Sequence, residues 1–224
     1  MDYRHICTAA MLANGGLQTA HDTANSLYKG EEKPDKNRMV ELFGIRLMLF
    51  RHIILEIANI ADLADLSRPM FKEHPDLGKL HSELSKAFEF LKYIRNKYVG
   101  HFDPELTEKT FEWQPAANSI LGKKDASSSL IMSMFSLETA INTYTDPATG
   151  HKIFDSETDL NYPQDNARFL NFLGETAIQS LEYSERLIEI AAGKVDTPDM
   201  KSEWLKLAKK AGKTEFRHLT KKKR

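Results

Sequence analysis

The sequence predicts an all-α protein, an antiparallel bundle of four to five long helices. Three observations carry this expectation. Apolar residues recur at steps of three and four over long stretches, the spacing of a buried helical face. Strand-like chemistry is confined to one short stretch, around residues 143–154. Prolines stand at breaks between the periodic segments, as at Ser67–Pro75, where two of them interrupt the chain.

Taken in order, the first segment, about Tyr3 to Tyr28, reads as helix with a soft spot at Gly15-Gly16. Gly30 to Lys36 is a polar connection containing Pro34. From about Asp35 to Ala64 comes the most apolar helix. Met39, Leu42, Phe43, Leu49, Phe50, Ile53, Ile57 and Ile60 form its main stripe, and Ile45, Leu47, Met48, Ile54 and Leu55 widen it almost all round. Such a helix is buried on more than one side, inside a bundle or at an oligomer seam. Arg46, Arg51 and His52 interrupt it; His52 and Glu56, one turn apart, read as a surface pair rather than metal ligands.

After the Ser67–Pro75 break, Leu77, Leu80, Leu84, Ala87, Phe88, Leu91, Ile94 and Tyr98 mark one face of the cleanest amphipathic helix. Asp103-Pro104 suits the start of a helical turn, because Asp caps and Pro fits the first position. Trp113 to Asp125 reads as loop, and Ser127, Ser128 and Ser129 offer caps for a helix from about Leu130 to Ile141. Turn residues Asp146 to Gly150, between Thr143-Tyr144-Thr145 and Lys152-Ile153-Phe154, predict a small β-hairpin insertion. A long helix follows from about Gln164 to Ala192 and stops at Gly193; Pro198 then introduces a short one around Trp204, Leu205 and Ala208. The expected organisation is a helical bundle domain over residues 1–198, with an insertion at about 102–162. A basic C-terminal helix and tail occupies 199–224.

Hydrophobic residues at 41% and charged residues at 28% are those of an ordinary soluble globular chain. Its 224 residues suffice for one sizeable domain with an appendage. One cysteine, Cys7, excludes an intramolecular disulfide framework and fits a reducing cytoplasm, where it reads as a small apolar filler. No apolar run approaches the ~20 residues of a membrane span, and Ile6 to Ala13 is too short for a signal peptide. From Asp199 onward, ten Lys/Arg against three acids give +7, leaving −8 on the rest of a chain whose net charge is −1. A basic arm on an acidic body is either a solvated tail or an attractor of nucleic acid.

The chemistry-bearing stretch is Arg95-Asn96-Lys97-Tyr98-Val99-Gly100-His101, at the end of the amphipathic helix. On an ideal helix Arg95 falls roughly 50° to one side of the apolar stripe and His101 roughly 70° to the other. Both border the buried face, where an unpaired cation is expensive. They also lie roughly 120° apart around the helix and ~9 Å apart along it, too far to grip one small group. Either Gly100 enters a left-handed turn and swings His101 back, or a second copy supplies the missing half across a two-fold axis. The two-fold homodimer is the expectation.

Arg95, Asn96 and His101, with their position at the end of a bundle helix, resemble the motif of the HEPN superfamily (higher eukaryotes and prokaryotes nucleotide-binding): Arg, commonly then Asn, Asp or His, with His a few residues on. The run Tyr93-Ile94-Arg95-Asn96-Lys97, leading to Gly100-His101-Phe102-Asp103, is most similar to the branch linked to phage abortive infection. The local likeness covers about Leu77 to Asp103. It implies a dimeric, metal-independent endoribonuclease, commonly a toxin or phage-defence effector in the cytoplasm with RNA as substrate and, in some cases, an antitoxin protein as partner. Relatives that have lost activity serve as nucleotide- or partner-binding modules, which is the alternative here. No cofactor, metal or membrane is implied.

Metal-free RNA cleavage uses the substrate's 2′-OH as nucleophile and leaves a 2′,3′-cyclic phosphate. His101 suits the proton shuttle, since only His has an ordinary pKa near neutrality. Arg95 suits the phosphate, because a planar guanidinium grips two oxygens at once. Asn96 would orient His101 or the phosphate. Lys97 is an auxiliary cation and Tyr98 a substrate contact, although Tyr93 and Tyr98 at this spacing also read as core aromatics. The bland alternatives are a His101 that caps the helix end and an Arg95 that pairs with an acid of a neighbouring helix. Other chemistries find little support. His74 and His81 are poorly spaced for a metal, there is no Gly-rich phosphate loop or nucleophile elbow, and Asp62 and Asp65 sit on a polar helix side where solvation is the default.

Overall fold

A computed structural model of the chain describes residues 2–28, 35–101, 103–196 and 200–211. These form seven α-helices: α1 (Tyr3–Tyr28), α2 (Lys36–Ser67), α3 (Pro75–Ile94), α4 (Pro104–Trp113), α5 (Ala126–Asn142), α6 (Pro163–Gly193) and α7 (Met200–Ala211). The one sheet among the described residues has two short strands, β1 (Thr145–Asp146) and β2 (Gly150–His151), paired antiparallel with Thr145 opposite His151. The all-α bundle with a small hairpin is therefore the observed architecture. The connection at 29–34, Pro198 and the tail from 212 lie outside the described residues.

α1 packs mainly on α2 and α6, and α3 sits against α2, α6 and α5. The buried side of α1 is Ile6, Ala10, Ala13, Leu17, Ala20 and Ala24, a stripe mostly of alanine that lets helix axes approach closely. The expected soft spot at Gly15-Gly16 is continuous helix. Gly16 is there for space: a Cβ on it would stand 3.1 Å from Glu56 Oε1. Glu56 meanwhile accepts a hydrogen bond from Asn59 and lies 3.7 Å from His52 Nε2, the i,i+4 surface pair. On α2, Ile53, Ile54, Ile57, Ile60, Leu63 and Ala64 are buried, while Met39 and Met48 face solvent.

Several element ends differ from expectation, each for a local reason. α2 runs on to Ser67 because the buried Ser67 hydroxyl bonds the Ala64 carbonyl and Tyr183 Oη, at 3.0 and 2.7 Å, tying its last turn to α6. The two prolines beyond it cause no open break: Pro69 begins a 3-10 turn (Arg68–Lys72) and Pro75 opens α3. Asp103 caps a full ten-residue α4, where a single turn was expected, and a 3-10 turn (Pro115–Ser119) interrupts the stretch read as loop. α5 begins at Ala126, four residues early, because Asp125 rather than the serines is its cap, accepting from Ser128 N at 2.9 Å.

Phe90 anchors the junction of bundle and insertion. Its ring meets those of Tyr144, His151, Phe154 and Phe172 at centroid distances of 5.0 to 5.9 Å. His151 fastens the hairpin from both ring nitrogens. Nδ1 accepts from Ile153 N and Phe154 N, which leaves Nε2 to donate to the Ile141 carbonyl. The next loop is held by Glu138, 5% exposed, whose two oxygens accept from Gln114 Nε2 and Leu160 N. Burial pushes the Glu138 carboxyl above its ordinary range, against the hydrogen bond from Leu160.

Two predictions follow from this packing. Phe90→Ala should cost about 3–5 kcal/mol, read as a lowered denaturation midpoint, since the ring is fully buried. Because the Glu138 pKa is raised on folding, its contribution is complete below the ordinary carboxyl value of about 4.3 and is lost as pH rises through the folded value. Glu138→Gln should remove that part of the pH dependence. A flipped Gln114 amide could keep both hydrogen bonds, so thermal melts across pH 4–8 at roughly half-unit steps should show a flatter curve than the parent.

Candidate functional site

The motif helix ends in an irregular turn. After Ile94 the backbone widens into a π turn over Arg95–Val99, closed by Gly100 N–H on the Arg95 carbonyl, five residues back, at 2.7 Å. Gly100 has φ −80° and ψ −33°, so it does not enter the left-handed region. That route for swinging His101 back toward Arg95 is corrected by the structure. One extra residue per turn is what displaces the two side chains from ideal helical register. The Val99 carbonyl, left over at the helix end, faces Arg51 NH2 at 3.5 Å, and the same guanidinium lies 5.3 Å from the Tyr98 ring centre.

Arg95 is largely shielded, its side chain 18% exposed, and is committed within the chain. Its NH1 donates to Asp62 Oδ2 of α2 at 2.6 Å, and its Nε donates to Asn96 Oδ1 at 3.1 Å. The carboxylate partner anticipated for a half-buried arginine is thus Asp62. Asp62 and Asp65 do not form a solvated face. Lys92 Nζ sits 2.8 Å from each of them, and Arg68 NH2 is 2.7 Å from Asp65. Three cations therefore share two carboxylates, a net of one positive charge. Burial works to raise the Asp62 pKa, but the bonds from Arg95 and Lys92 outweigh it and hold the carboxyl below its ordinary value. For Asp65 the Lys92 bond dominates, in the same direction. Lys92 is raised: its two acids overcome the opposing effect of burial.

A guanidinium offers two edges for bidentate contact, NH1 with NH2 and Nε with NH2. In Arg95 each edge has already spent one donor. Binding a phosphate on two oxygens means displacing either Asp62 or Asn96. Of the two, the neutral Asn96 at 3.1 Å is the weaker partner and the charged Asp62 at 2.6 Å the stronger.

His101 is exposed and, among the described residues, has no hydrogen-bond partner, so it does not cap the helix. Lys97 turns to the insertion, with Nζ 2.5 Å from Asp103 and 3.7 Å from Glu105. Since Asp103 also caps α4, Lys97 fastens the motif to the next helix. Tyr98 is 1% exposed with its hydroxyl 2.6 Å from Ser133 Oγ, the place of a core aromatic. Beside Asn96 opens a cavity of about 490 Å³ lined by Arg68, His81, Lys92, Tyr93 and Tyr144 among others, but by neither Arg95 nor His101. Burial, and then the charge of Arg68, lower the His81 pKa, so this imidazole is neutral at neutral pH. The structure thus brings Arg95 and Asn96 together and leaves His101 apart. The parts that sequence reasoning missed are Asp62, Asp65 and Arg68. Their signal was an i,i+3 acid pair and a following Arg on the side of α2 adjoining its apolar stripe.

In comparisons with family models, with curated proteins and with solved structures, nothing matches this chain. The family resemblance therefore stands on the motif residues themselves. Among the described residues no three His, Cys, Asp or Glu are grouped to hold a metal ion, and no helix is long and apolar enough to cross a membrane.

The ion-pair lattice has a measurable signature. Asp62→Asn should cost about 0.5–1 kcal/mol, because Asp62 is 47% exposed and solvent screens the pair. The depressed carboxyl stabilises the fold above its ordinary pKa, and that contribution is lost as pH falls through the lowered value. Parent and variant stabilities should converge on acidification below about pH 4, as followed by denaturant titration.

Proposed function

We propose that this chain is a metal-independent endoribonuclease of HEPN type that works as a pair. The observation that carries the reading is His101: exposed, without an internal partner, and two residues beyond the π turn that holds Arg95. A histidine with no hydrogen-bond partner among the described residues is available for proton transfer. In the proposed reaction the 2′-oxygen attacks phosphorus while its proton passes to a base. The P–O5′ bond breaks and the leaving 5′-oxygen receives a proton, giving a 2′,3′-cyclic phosphate and a 5′-hydroxyl. His101 moves the proton. Arg95, its NH1 held by Asp62, turns its Nε–NH2 edge to the phosphate oxygens as Asn96 releases it, and Asp62 acts as a positioning residue. Since Arg95 and His101 do not converge within one chain, the Arg of one copy would serve with the His of the other.

A second reading, favoured by the Arg95–Asp62 pair, is a non-catalytic HEPN-like module that binds nucleotide or a partner protein. There Arg95 is first a structural cation. Toxin or phage-defence work, an antitoxin partner and a cytoplasmic setting belong to the proposal as what the resemblance implies.

The readings separate in one set of assays. The nuclease should cleave RNA in the presence of a chelator. His101→Ala should lower the rate by a factor of about 10²–10⁴, and Arg95→Lys should weaken it too, because an ammonium lacks the fork. Mixing Arg95→Ala and His101→Ala copies should restore cleavage by rebuilding one intact pair. RNA that is bound but never cut, with binding lost in Arg95→Ala and kept in His101→Ala, decides for the binding module.

A further inference from the structure

α7 carries a complete amphipathic pattern. Met200, Trp204, Leu207, Ala208 and Ala211 recur at helical spacing, and the other seven positions hold four lysines, one glutamate, Ser202 and Leu205, a net charge of +3. Yet Trp204 is 63% and Leu207 42% exposed, and α7 forms no substantial packing with any other element of the described residues. A short helix is not stable on propensity alone; its apolar face needs a surface.

The body of the protein has a groove of fitting shape and opposite charge. Between α3 and α6 lies a cavity of about 530 Å³ with Leu80 and Leu84 among its lining. Its charged lining is Asp76, Glu83, Glu182, Glu185 and Glu189 against Lys79 and Arg186, a net of −3. Arg186 is already paired with Asp76 and Glu189, at 2.6 and 3.0 Å. Exposed Ile178 stands one turn before the groove residue Glu182, on the same side of α6.

Connectivity points the same way. The groove opens at Glu189, one turn before α6 ends at Gly193, and Lys194 sits 3.5 Å from Glu73, just ahead of α3. The chain therefore leaves α6 at the mouth of the groove. Six residues, 194–199, join α6 to α7, within the range that makes consecutive helices antiparallel neighbours. At ~1.5 Å per residue, α7 is ~18 Å long against ~12 Å for Asp76 to Leu84, enough to cover the groove floor.

We infer that the groove between α3 and α6 is the docking site of α7 of the same chain. Trp204 and Leu207 would seat over the half-buried Leu80, and the lysines would flank Glu83 and the glutamates of α6. Docking turns an open amphipathic helix into a sixth side of the bundle and withdraws its lysines from other anions.

The test uses the full chain with Trp113→Phe, so that Trp204 is the only tryptophan and reports its own surroundings. Docking predicts blue-shifted Trp204 emission protected from acrylamide. Glu182→Lys, Glu185→Lys and Glu189→Lys together, or salt at roughly 1 M, where screening reaches within ~3 Å, should shift it to a solvent-exposed spectrum. Solvent-exposed emission in the parent overturns the proposal, as does protection that survives the charge reversal. Should the triple variant unfold, crosslinking replaces it: Cys7→Ser with Glu182→Cys and Leu207→Cys should form a disulfide within one chain under mild oxidation. A disulfide only between chains, none at all, or a Trp204 shift that appears only on adding RNA or anionic vesicles, overturns it.

Discussion

A cation at the edge of an apolar helix must be given an anion, and that requirement fixes the working end of this molecule. Arg95 borders the buried face of α3, where a lone guanidinium would lose solvent with no anion in return. α2 answers with Asp62, and once Asp62 is in place Lys92, Asp65 and Arg68 join it into one lattice. The lattice links α3 to α2 along the edge of their apolar contact. Individually these half-exposed pairs are weak.

The same lattice limits what the motif can do. An arginine reads phosphate through two parallel hydrogen bonds, and here both of its edges begin partly occupied. The Asp62 bond is the one worth keeping on physical grounds, since breaking it would leave a carboxylate with Lys92 alone. Asn96 is the replaceable partner: neutral, exposed and adjacent in sequence. The amide at the second position of the motif therefore holds the Nε edge of the fork.

Much of the architecture was legible in the sequence, because it depends on periodicity. The stripes of α2 and α3 predicted buried residues such as Ile53, Ile57, Ile60, Leu77, Leu84 and Phe88 directly. Boundaries were less legible where a single side chain decides them. Asp125 instead of a run of serines starts α5, and the Ser67–Tyr183 hydrogen bond extends α2 across 116 positions of sequence. Periodicity cannot report either. The site was legible only by half: the residue types of Arg95, Asn96 and His101 stood out, but their separation was computed for an ideal helix. The π turn departs from that ideal, and no residue in it announces the departure. Asp62 was visible as an acid and invisible as a partner, since pairing between helices is a property of packing.

The π turn also explains why two ordinary alternatives could be resolved in opposite senses within seven residues. Arg95 is received by a neighbouring helix, as a structural cation would be, whereas His101 is not received by the helix end, as a capping histidine would be. In a regular α-helical ending the last carbonyls stay open for a nearby imidazole. Here Gly100 N–H closes on Arg95 and Arg51 approaches Val99, so two of the terminal acceptors are met before His101 is reached. With that role taken, His101 is exposed and has no hydrogen-bond partner among the described residues. Sequence economy in the core is strict elsewhere, as the partners of Tyr98, Tyr183, Glu138 and His151 show. The motif thus ends in one cation held by a neighbouring helix and one exposed imidazole, the two set apart by the irregular turn between them.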